Sequence, residues 1–571
     1  MTHPATHRAD WLREAQYGFF FHFLSPQETT PEAWNRQVDS FDVAAFADQM
    51  HRLRAGYVFL TVGQNSGFYC SPNAALDRFT GRSGATSRCS RRDLIADFSA
   101  ALEPYGIALL VYTTTLAPAR DHEASRLLRS VPPWNSNWNC GNYDELKRFA
   151  VADPRLRDFI RMWSEIHAEW AARWGRRIKG WWMDGCYFAD RMFDFPDEPN
   201  GMTVCNALRS GNPDAIVALN PGVVSPPHAA YPAGEDYTAG ETDDPLRGIH
   251  CGSRIDGLQY HILTFAGTNW GSGPLRFSGT EMAGITRTVS DNGGAVTWDL
   301  PFTPAGLAPE VFTELQLFAE HYRRSREAVP PLAVETTEIS RNETGGAHRN
   351  GRLIVTAGQP CEFRVSYDGD TVSSQGNARL EAALPPPVSG DRAVTVECNG
   401  FTRKFIPELL RSFTLKESGN ASFTLVRDDV ELARYRMRID GGMWLLEGKI
   451  FDPAPEIRAD APWQGSSLEL FFATRRVHRQ LVFLPDGRVF CCRSFGMTGE
   501  CRNRIIRRDS DGFGFSVAIP AAVLQLEKGE RSFRFELVQH IRRGNGFLSA
   551  SLCDTVSPQL SPEMNGRIML G

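Results

Sequence analysis

Short apolar runs alternate with longer amphipathic segments between residues 11 and 326. Strands that are apolar along nearly their whole length are buried on both faces, which is typical of a parallel sheet covered by helices. Seven or eight such units in a stretch of this length favour a (β/α)8 barrel over an open sheet, and no glycine fingerprint follows the first run. The predicted strands are 16–24, 56–64, 107–115, 178–184, 215–222, 261–268 and 294–301, and the predicted helices are 42–55, 93–106, 154–174 and 309–325.

The pattern changes after about residue 330, where apolar and polar residues alternate in short runs between Gly, Pro, Asp and Asn. Such runs are typical of an antiparallel β-sandwich, and a second all-β pattern begins near residue 417. We therefore predict the fold class α/β, with a (β/α)8-type barrel (1–330) followed by two C-terminal β-sandwich domains (331–416 and 417–571).

Composition excludes several classes of partner. The formal net charge of -5 gives no electrostatic basis for binding nucleic acid or an anionic membrane, and no apolar run is long enough to span a bilayer. The start of the sequence, MTHPATHRADWLREAQ, lacks an apolar signal core, which predicts a cytoplasmic location. The twelve cysteines form no C-x-x-C pair and no ligand-spaced His/Cys cluster, so we predict reduced thiols and neither a metal site nor a cofactor.

Asp184 ends the run IKGWWMD beside two tryptophans, where a charge is poorly solvated unless a partner compensates. Either it caps the turn at Gly185 or its charge is functional. The carboxyl ends of barrel strands carry the chemistry of this fold, and paired carboxylates in an aromatic pocket suit glycoside hydrolysis. The other polar candidates at predicted strand ends are His22, Gln64, Asn65, Thr113, Thr114, Thr115, Asn220, Glu235, Asp236, Glu241, Trp270 and Asp299, of which Glu235, Asp236 and Glu241 fall on a predicted loop after the fifth strand.

Each candidate also has a purely structural interpretation. His22 lies among phenylalanines and could be a core histidine, and Glu241 could be a solvated loop acid. Gln64 and Asn65 could form a turn before a glycine, and a tryptophan is more often a packing residue than a ligand. Trp270, and Trp34 in PEAWNRQV, are therefore candidate pocket residues with a packing alternative.

Six segments, in chain order over about 300 residues, resemble motifs of glycoside hydrolase family 29, the retaining α-L-fucosidases. The segments are WLREAQYGFFFHF, YVFLTVGQNSGFYCSPN, GWWMDG, EDYTAGETDDP, TNWGSG and VSDNGGAVTWDLPFTPAGLAPE. The resemblance implies that Asp184 is the nucleophile and Glu241 the acid/base, with Glu235 as the alternative acid/base. It also implies that His22 binds sugar hydroxyls and that Trp270 is a pocket wall.

The sequence departs from the family motifs at three places. The sugar-binding His-His pair of the family is replaced by Gln64 and Asn65, which still form hydrogen bonds but with a different geometry. Asp299 replaces an asparagine of the late L-L-N motif, and Ser272 replaces a tyrosine. Because a hydroxyl-matched pocket rejects analogues strongly, these changes affect the identity of the sugar more than glycoside cleavage itself.

The segment YRMRIDGGMWLLEGKIFD and the following PWQGSSLELFF resemble carbohydrate-binding module family 9-like sandwiches. Trp444 and Trp463 could stack on sugar faces, although core packing for Trp444 and a rim position for Trp463 are the favoured interpretations.

The prediction is thus a retaining exo-acting α-glycosidase for a small oligosaccharide or glycoside, with Asp184 and Glu241 catalytic and His22, Gln64, Asn65, Trp34, Trp270 and Asp299 binding substrate. The alternatives are a non-catalytic carbohydrate-binding protein on the same scaffold and a transglycosylase. The expected partner is a small carbohydrate, with no nucleic acid and no membrane, and homo-oligomerisation is left open.

Overall fold

In the computed structural model, the chain forms two compact units. The first spans Met1–Val334, Val355–Leu380 and Ala393–Ile406, and the second spans Glu335–Ile354, Glu381–Arg392 and Pro407–Gly571. The residues that the structure describes are 7–116, 118–134, 143–223, 227, 229–246, 252–255, 257–303, 306–336, 339–342, 351–385, 393–407, 409–415, 420–427, 430–440, 442–458, 462–473, 478–493, 502–520, 532–544, 546–552 and 566–570.

Seven parallel strands of the first unit form one sheet in the order β5-β4-β3-β2-β1-β11-β8. Every predicted strand is present, although each is shorter than the apolar run that predicted it. The strands of this region are β1 (Tyr17–Phe21), β2 (Tyr57–Thr61), β3 (Ala108–Thr114), β4 (Gly180–Asp184), β5 (Ile216–Leu219), β6 (Arg254–Ile255), β7 (Leu258–Gln259), β8 (His261–Phe265), β9 (Gly267–Asn269), β10 (Ser272–Leu275) and β11 (Ala295–Asp299).

An irregular segment, residues 235–242, lies between β5 and β8 and is called the closing segment below. On one side the Asp236 N–H donates to Val217 O at 2.8 Å. On the other side, Leu263 donates to Gly240 O at 2.8 Å and its own carbonyl accepts from Thr242 at 2.9 Å, so the pairing with β8 is parallel. The segment is a loop after the fifth strand, as predicted, and its short pairings with β5 and β8 close the barrel.

Two carboxylates help the closing segment to join β5. The Glu235 carboxylate accepts the backbone N–H of Leu219 at 2.8 Å, and that of Asp236 accepts the N–H of Val217 at 2.9 Å. These side chains replace the carbonyl groups that a regular strand would offer to a neighbour. A segment held in this way needs no apolar run, which is why the sequence pattern did not reveal it.

The barrel encloses its own apolar core, because side chains alternate between the two faces along each strand. On β4, Trp182 points inward and stacks on Tyr112 with ring centroids 5.5 Å apart, whereas Trp181 points outward and lies 5.6 Å from Trp174. All seven strands and the closing segment contribute to the interior cluster, which comprises Ala9, Leu12, Phe20, Tyr57, Phe59, Leu110, Tyr112, Trp182, Ile216, Ala218, Tyr237, Ala239, Leu263 and Ala295.

Helices surround the barrel, and several begin at a residue whose side chain accepts a backbone N–H of the first turn, which satisfies an otherwise unpaired donor. Asp42, Asp93 and Asp121 do this for the helices that follow them. All four predicted helices are present. The helices are α1 (Asp10–Ala15), α2 (Pro31–Ser40), α3 (Val43–Arg52), α4 (Ala74–Thr80), α5 (Leu94–Leu102), α6 (His122–Leu127), α7 (Tyr143–Leu146), α8 (Arg157–Trp174), α9 (Ala189–Met192), α10 (Gly201–Arg209), α11 (Gly279–Asp291) and α12 (Pro309–Ala328).

A five-stranded sheet follows the barrel and has the order β12-β14-β16-β17, with β15 paired to β14. Its strands are β12 (Leu332–Thr336), β14 (Gly351–Tyr367), β15 (Asp370–Leu384), β16 (Val394–Cys398) and β17 (Phe401–Phe405), and β13 (Ile339–Asn342) belongs to another sheet.

Strand β17 packs against α11 of the barrel. A Cβ atom at Gly284 would lie 2.7 Å from Thr402 O, so only glycine allows this approach. Beside it, the buried Arg403 guanidinium lies 2.7 Å from the Asp291 carboxylate, which also accepts a hydrogen bond from Arg287.

The second unit contains two sheets that share one apolar core. An eight-stranded sheet has the order β13-β18-β29-β27-β22-β23-β24 with β28 beside β27, and a five-stranded sheet has the order β19-β20-β21-β26-β25. Alternate residues of both sheets meet in one cluster, which is the arrangement of a β-sandwich. The strands are β18 (Leu409–Leu415), β19 (Asn420–Arg427), β20 (Val430–Asp440), β21 (Met443–Ile450), β22 (Ser467–Ala473), β23 (His478–Phe483), β24 (Val489–Arg493), β25 (Arg502–Asp509), β26 (Gly512–Pro520), β27 (Ser532–Arg543), β28 (Gly546–Ser551) and β29 (Gly566–Leu570).

The fold class is thus α/β, with a barrel followed by antiparallel β-sandwich architecture, as predicted. The domain boundaries at 330 and 416 stay predictions. Within the part of the chain that the structure describes, no helix is long and apolar enough to cross a membrane.

Candidate active site

Polar side chains lie together at the carboxyl end of the barrel, because alternate residues of each strand face the interior. Three strands and the closing segment each contribute a residue to the barrel interior, namely Phe20, Trp182, Ala218 and Ala239. Two positions further along the chain from these residues lie His22, Asp184, Asn220 and Glu241. Because alternate residues share a face, these side chains form the next layer, above the apolar core. Asp299 occupies the corresponding position at the end of β11.

Asp184 is 9% exposed, and its carboxylate accepts three side-chain hydrogen bonds. Oδ2 accepts from the Tyr112 hydroxyl at 2.7 Å, and Oδ1 accepts from Asn220 Nδ2 at 2.9 Å and from the Tyr187 hydroxyl at 3.3 Å. Burial raises the pKa of Asp184 above its usual value, and the donors offset only part of this rise by stabilising the ionised form.

Glu241 is half-buried beside Asp184, and its Oε2 accepts from the same Asn220 Nδ2 at 2.6 Å. Desolvation, and then the charge of Asp184, raises the pKa of Glu241 to about 8. The contacts of 2.9 and 2.6 Å to one nitrogen set an upper limit of 5.5 Å, their sum, on the distance between Asp184 Oδ1 and Glu241 Oε2.

Asn220 holds the two acids together. Its Oδ1 accepts the backbone N–H of Gly222 at 3.0 Å, which turns its Nδ2 towards the carboxylates. An amide nitrogen carries two hydrogens, so it can donate to both acids at once. Among the described residues, Asp184 thus accepts from three side chains, and Glu241 accepts from one of the same three, Asn220.

His22 and Asp299 form a second pair at the same end of the barrel. His22 Nδ1 lies 3.1 Å from Asp299 Oδ1, and Asp299 Oδ2 accepts the backbone N–H of Gly271. Burial raises the pKa of Asp299, and the nearby His22 partly offsets the rise. Asp299 is fully buried, and through these two contacts it orients His22 and the loop that carries Trp270.

Gln64, Asn65 and Trp270 are also at this end of the barrel. Gln64 Nε2 donates to the Tyr112 hydroxyl at 2.8 Å, and the Asn65 carbonyl accepts the Arg120 N–H at 2.9 Å. Trp270 is half-buried, packs on the interior cluster and lies 4.8 Å from the Phe265 ring.

The structure does not bring Trp34 to this group. Trp34 is 1% exposed in the core between barrel and helices, and its indole N–H donates to Tyr69 O at 2.9 Å. It is a packing residue, and the prediction that it binds substrate is corrected, because a buried indole with a satisfied N–H has no surface left for a ligand.

Glu235 is also a structural residue. Its two oxygens accept the backbone N–H groups of Leu219 and Tyr231, and burial raises its pKa to about 8. Asp236 accepts from Arg209 and Val217. The carboxyl that shares a donor with Asp184 is that of Glu241.

Sequence reasoning assigned no role to Tyr112, Tyr187 or Asn220, although Asn220 was noted at a strand end. Tyr112 falls inside an apolar run and looks like a core residue, but counting inward-facing positions along β3 would have placed it beside Trp182. Tyr187 follows β4 on a loop, where no periodicity indicates the direction of its side chain.

Among the second unit's aromatic residues, Trp444 is a core residue, as favoured. It is 4% exposed and lies 4.5 Å from the Phe533 ring, whereas Trp463 is 41% exposed. The resemblance to carbohydrate-binding module family 9 stays a prediction.

Comparison with models of known protein families found no match, and comparison with curated proteins found none either. Among solved structures, the chain is similar to the endo-fucoidan hydrolase MfFcnA4 from glycoside hydrolase family 107, with 13% identity, a TM-score of 0.43 and coverage of 99% of this chain and 98% of that chain. It is also similar to alpha-L-fucosidase isoenzyme 1 from Paenibacillus thiaminolyticus, with 14% identity, a TM-score of 0.43 and coverage of 70% and 97%. A putative alpha-L-fucosidase from Bacteroides thetaiotaomicron matches with 11% identity, a TM-score of 0.42 and coverage of 71% and 98%.

Proposed function

We propose that the protein is a retaining, exo-acting α-glycosidase that resembles α-L-fucosidases and cleaves a small oligosaccharide or glycoside. The observation that carries the proposal is the pair Asp184 and Glu241, joined by the amide of Asn220. Retaining glycosidases hold their two carboxyl groups about 5–5.5 Å apart, whereas inverting enzymes need roughly 6.5–9.5 Å. The 5.5 Å limit between Asp184 Oδ1 and Glu241 Oε2 supports the retaining class.

The hydrogen bonds support one assignment of the two roles. Asp184 accepts side-chain hydrogen bonds from Tyr112, Asn220 and Tyr187, which favour its ionised form, and it is the nucleophile. Glu241, whose pKa is raised to about 8, holds a proton at neutral pH and is the acid.

The reaction then has two steps. Asp184 attacks the anomeric carbon while Glu241 gives its proton to the departing glycosidic oxygen, which leaves a glycosyl ester on Asp184. In the second step, Glu241 takes a proton from water as the water oxygen attacks the same carbon. The sugar leaves with its original anomeric configuration, and both side chains return to their starting protonation states.

His22 and Trp270 are proposed to bind the sugar, with Asn65 beside them. His22 is held by Asp299, and its side chain keeps 18% exposure. The motif resemblance supports L-fucose, L-galactose or another deoxy sugar as the substrate unit. The change at positions 64 and 65 favours a shift away from L-fucose.

Turnover of a panel of nitrophenyl α-glycosides tests the proposal. We expect release of nitrophenol from at least one sugar, and the product anomer, followed by NMR, should first appear with retained configuration. Asp184→Asn should reduce kcat by roughly 10⁴-fold or more, since removing a nucleophile disables the whole catalytic unit. Calorimetry should still detect binding of the free sugar.

The matched control is Asp452→Asn, which changes a buried acid of the β-sandwich. It should leave kcat unchanged. If the wild-type protein binds sugars of the panel without turning any over, the non-catalytic carbohydrate-binding alternative replaces the hydrolase.

A further inference from the structure

Two hydrogen bonds in series connect Gln64 with Asp184. Gln64 Nε2 donates to the Tyr112 hydroxyl at 2.8 Å, and that hydroxyl donates to Asp184 Oδ2 at 2.7 Å. Gln64 lies after β2, Tyr112 lies within β3, and Asp184 ends β4, so the series crosses three neighbouring strands of the sheet.

The direction of the series follows from the donor at its start. An amide nitrogen only donates, so the Tyr112 oxygen must accept from Gln64. A phenol has one hydrogen, and that hydrogen is then directed to Asp184. Tyr112 cannot turn away, because it is 2% exposed and its ring stacks on Trp182 at an interplanar angle of 19°.

Tyr112 also stays protonated. Burial, and then the charge of Asp184, raises its pKa well above the usual value, so the phenol remains a donor at any pH at which the protein would work. One hydrogen of the Gln64 amide is therefore committed to Tyr112.

We propose that Gln64 is a positioning residue, which fixes Tyr112 as a donor to Asp184 and so holds the nucleophile ionised and oriented, instead of binding the sugar. This inference rests on the proposed function, in which Asp184 attacks the substrate. It reassigns the side chain that the sequence placed among the sugar ligands.

A double-mutant cycle separates the two roles. We choose Gln64→Met, which keeps the length of the side chain and removes the donor, and Tyr112→Phe, which removes the hydroxyl. With the nitrophenyl glycoside that is cleaved fastest, Tyr112→Phe should reduce kcat by about 10- to 100-fold, the usual effect of losing one hydrogen bond to a charged group.

Gln64→Met should reduce kcat by about threefold to tenfold with KM changed by less than about twofold, because Tyr112 keeps its hydroxyl but loses its fixed direction. In the Tyr112→Phe background, the same Gln64→Met change should have no further effect on kcat. Such coupling between two residues is what the cycle measures.

A sugar ligand would behave differently. If Gln64 binds substrate, Gln64→Met raises KM and the increase persists in the Tyr112→Phe background, which overturns the proposal. Equal and additive losses of kcat in both backgrounds also overturn it.

Gln64→Glu provides a second test that does not need the Tyr112 variant to fold. A carboxylate accepts the Tyr112 hydrogen and removes it from Asp184, so kcat should fall below that of Gln64→Met. An equal or higher kcat contradicts the positioning role.

Tyr237→Phe is the matched control for Tyr112→Phe. Tyr237 is another fully buried phenol of the barrel interior, and its hydroxyl donates to Trp181 O at 2.9 Å. It should keep the wild-type kcat. A wild-type protein without turnover refutes the proposed function before any variant is made, whereas turnover without coupling refutes only the role of Gln64.

Discussion

The two ends of the closing segment carry similar acids in different surroundings. Glu235 and Glu241 lie six positions apart, and burial raises the pKa of each to about 8. At the first end, both Glu235 oxygens accept backbone N–H groups of Leu219 and Tyr231. At the second end, Glu241 shares the amide of Asn220 with Asp184 and is half-buried.

This difference teaches that a raised pKa does not by itself identify a catalytic acid. What separates the two residues is how their oxygens are used. Glu235 accepts backbone N–H groups and joins the closing segment to β5. Glu241 faces a second carboxylate and remains partly exposed, so a substrate could reach it.

Within this comparison of the two ends, the largest expected effect comes from replacing Glu241 with its amide. Glu241→Gln should reduce kcat on glycosides with poor leaving groups by about 10²- to 10⁴-fold, because general acid catalysis is lost. The loss should be smaller for activated nitrophenyl glycosides, which need little protonation. Glu235→Gln is the matched control and should retain nearly all of the wild-type kcat, so equal losses in steady-state assays would remove the distinction between the two ends.

Asn220 should have the next largest effect. Asn220→Ala removes the donor shared by Asp184 and Glu241, so kcat should fall by about 10- to 100-fold. The pKa of Glu241 should rise, because the lost hydrogen bond favoured its ionised form. Asn212→Ala, at a buried asparagine whose amide donates to Ile178 O, should leave kcat and the pH profile unchanged.

The pH profile of the wild-type protein tests the protonation state of Glu241. Since the protonated form is the acid, kcat/KM should fall as pH rises through about 8, by about tenfold per pH unit beyond that point. The profile is measured with a glycoside that has a poor leaving group. An alkaline limb that persists unchanged in Glu241→Gln would assign the ionisation to another group.

The last test concerns stability instead of turnover and belongs to Glu235. Its folded-state pKa of about 8 lies above the ordinary value of 4.5, so folding favours the protonated form. Stability contributed by this group is present below pH 4.5 and is lost as pH rises through about 8. Between these two pH values, Glu235 should contribute a fall of about 1.4 kcal/mol per pH unit to the free energy of unfolding measured with urea. Glu235→Gln should remove this contribution.

The seven strands and Asp184 could be predicted because buried parallel strands leave an unmistakable apolar pattern in the sequence. The closing segment could not, since EDYTAGET is held by carboxylate side chains and short irregular pairing instead of an apolar run. Glu241 was one of several acids on the predicted loop, and the motif resemblance alone singled it out as the acid/base. The coordinates were needed to show that it, and not Glu235, shares a donor with Asp184.

Tyr112 and Trp34 show the limits of reading aromatic residues from a sequence. Tyr112 was hidden in an apolar strand although its hydroxyl contacts Asp184, and Trp34 was considered a pocket residue although it is buried. The direction of an aromatic side chain depends on strand register and helix packing, which single-residue patterns do not specify.

The contact between β17 and α11 determines where the chain can be shortened. Asp291 meets the buried Arg403, and Gly284 lies against Thr402, more than a hundred residues further along the chain. An expression fragment that stops at residue 330 would remove Arg403 from Asp291 and open the surface of α11, the helix that precedes Asp299. A fragment that keeps this contact therefore has to extend through β17.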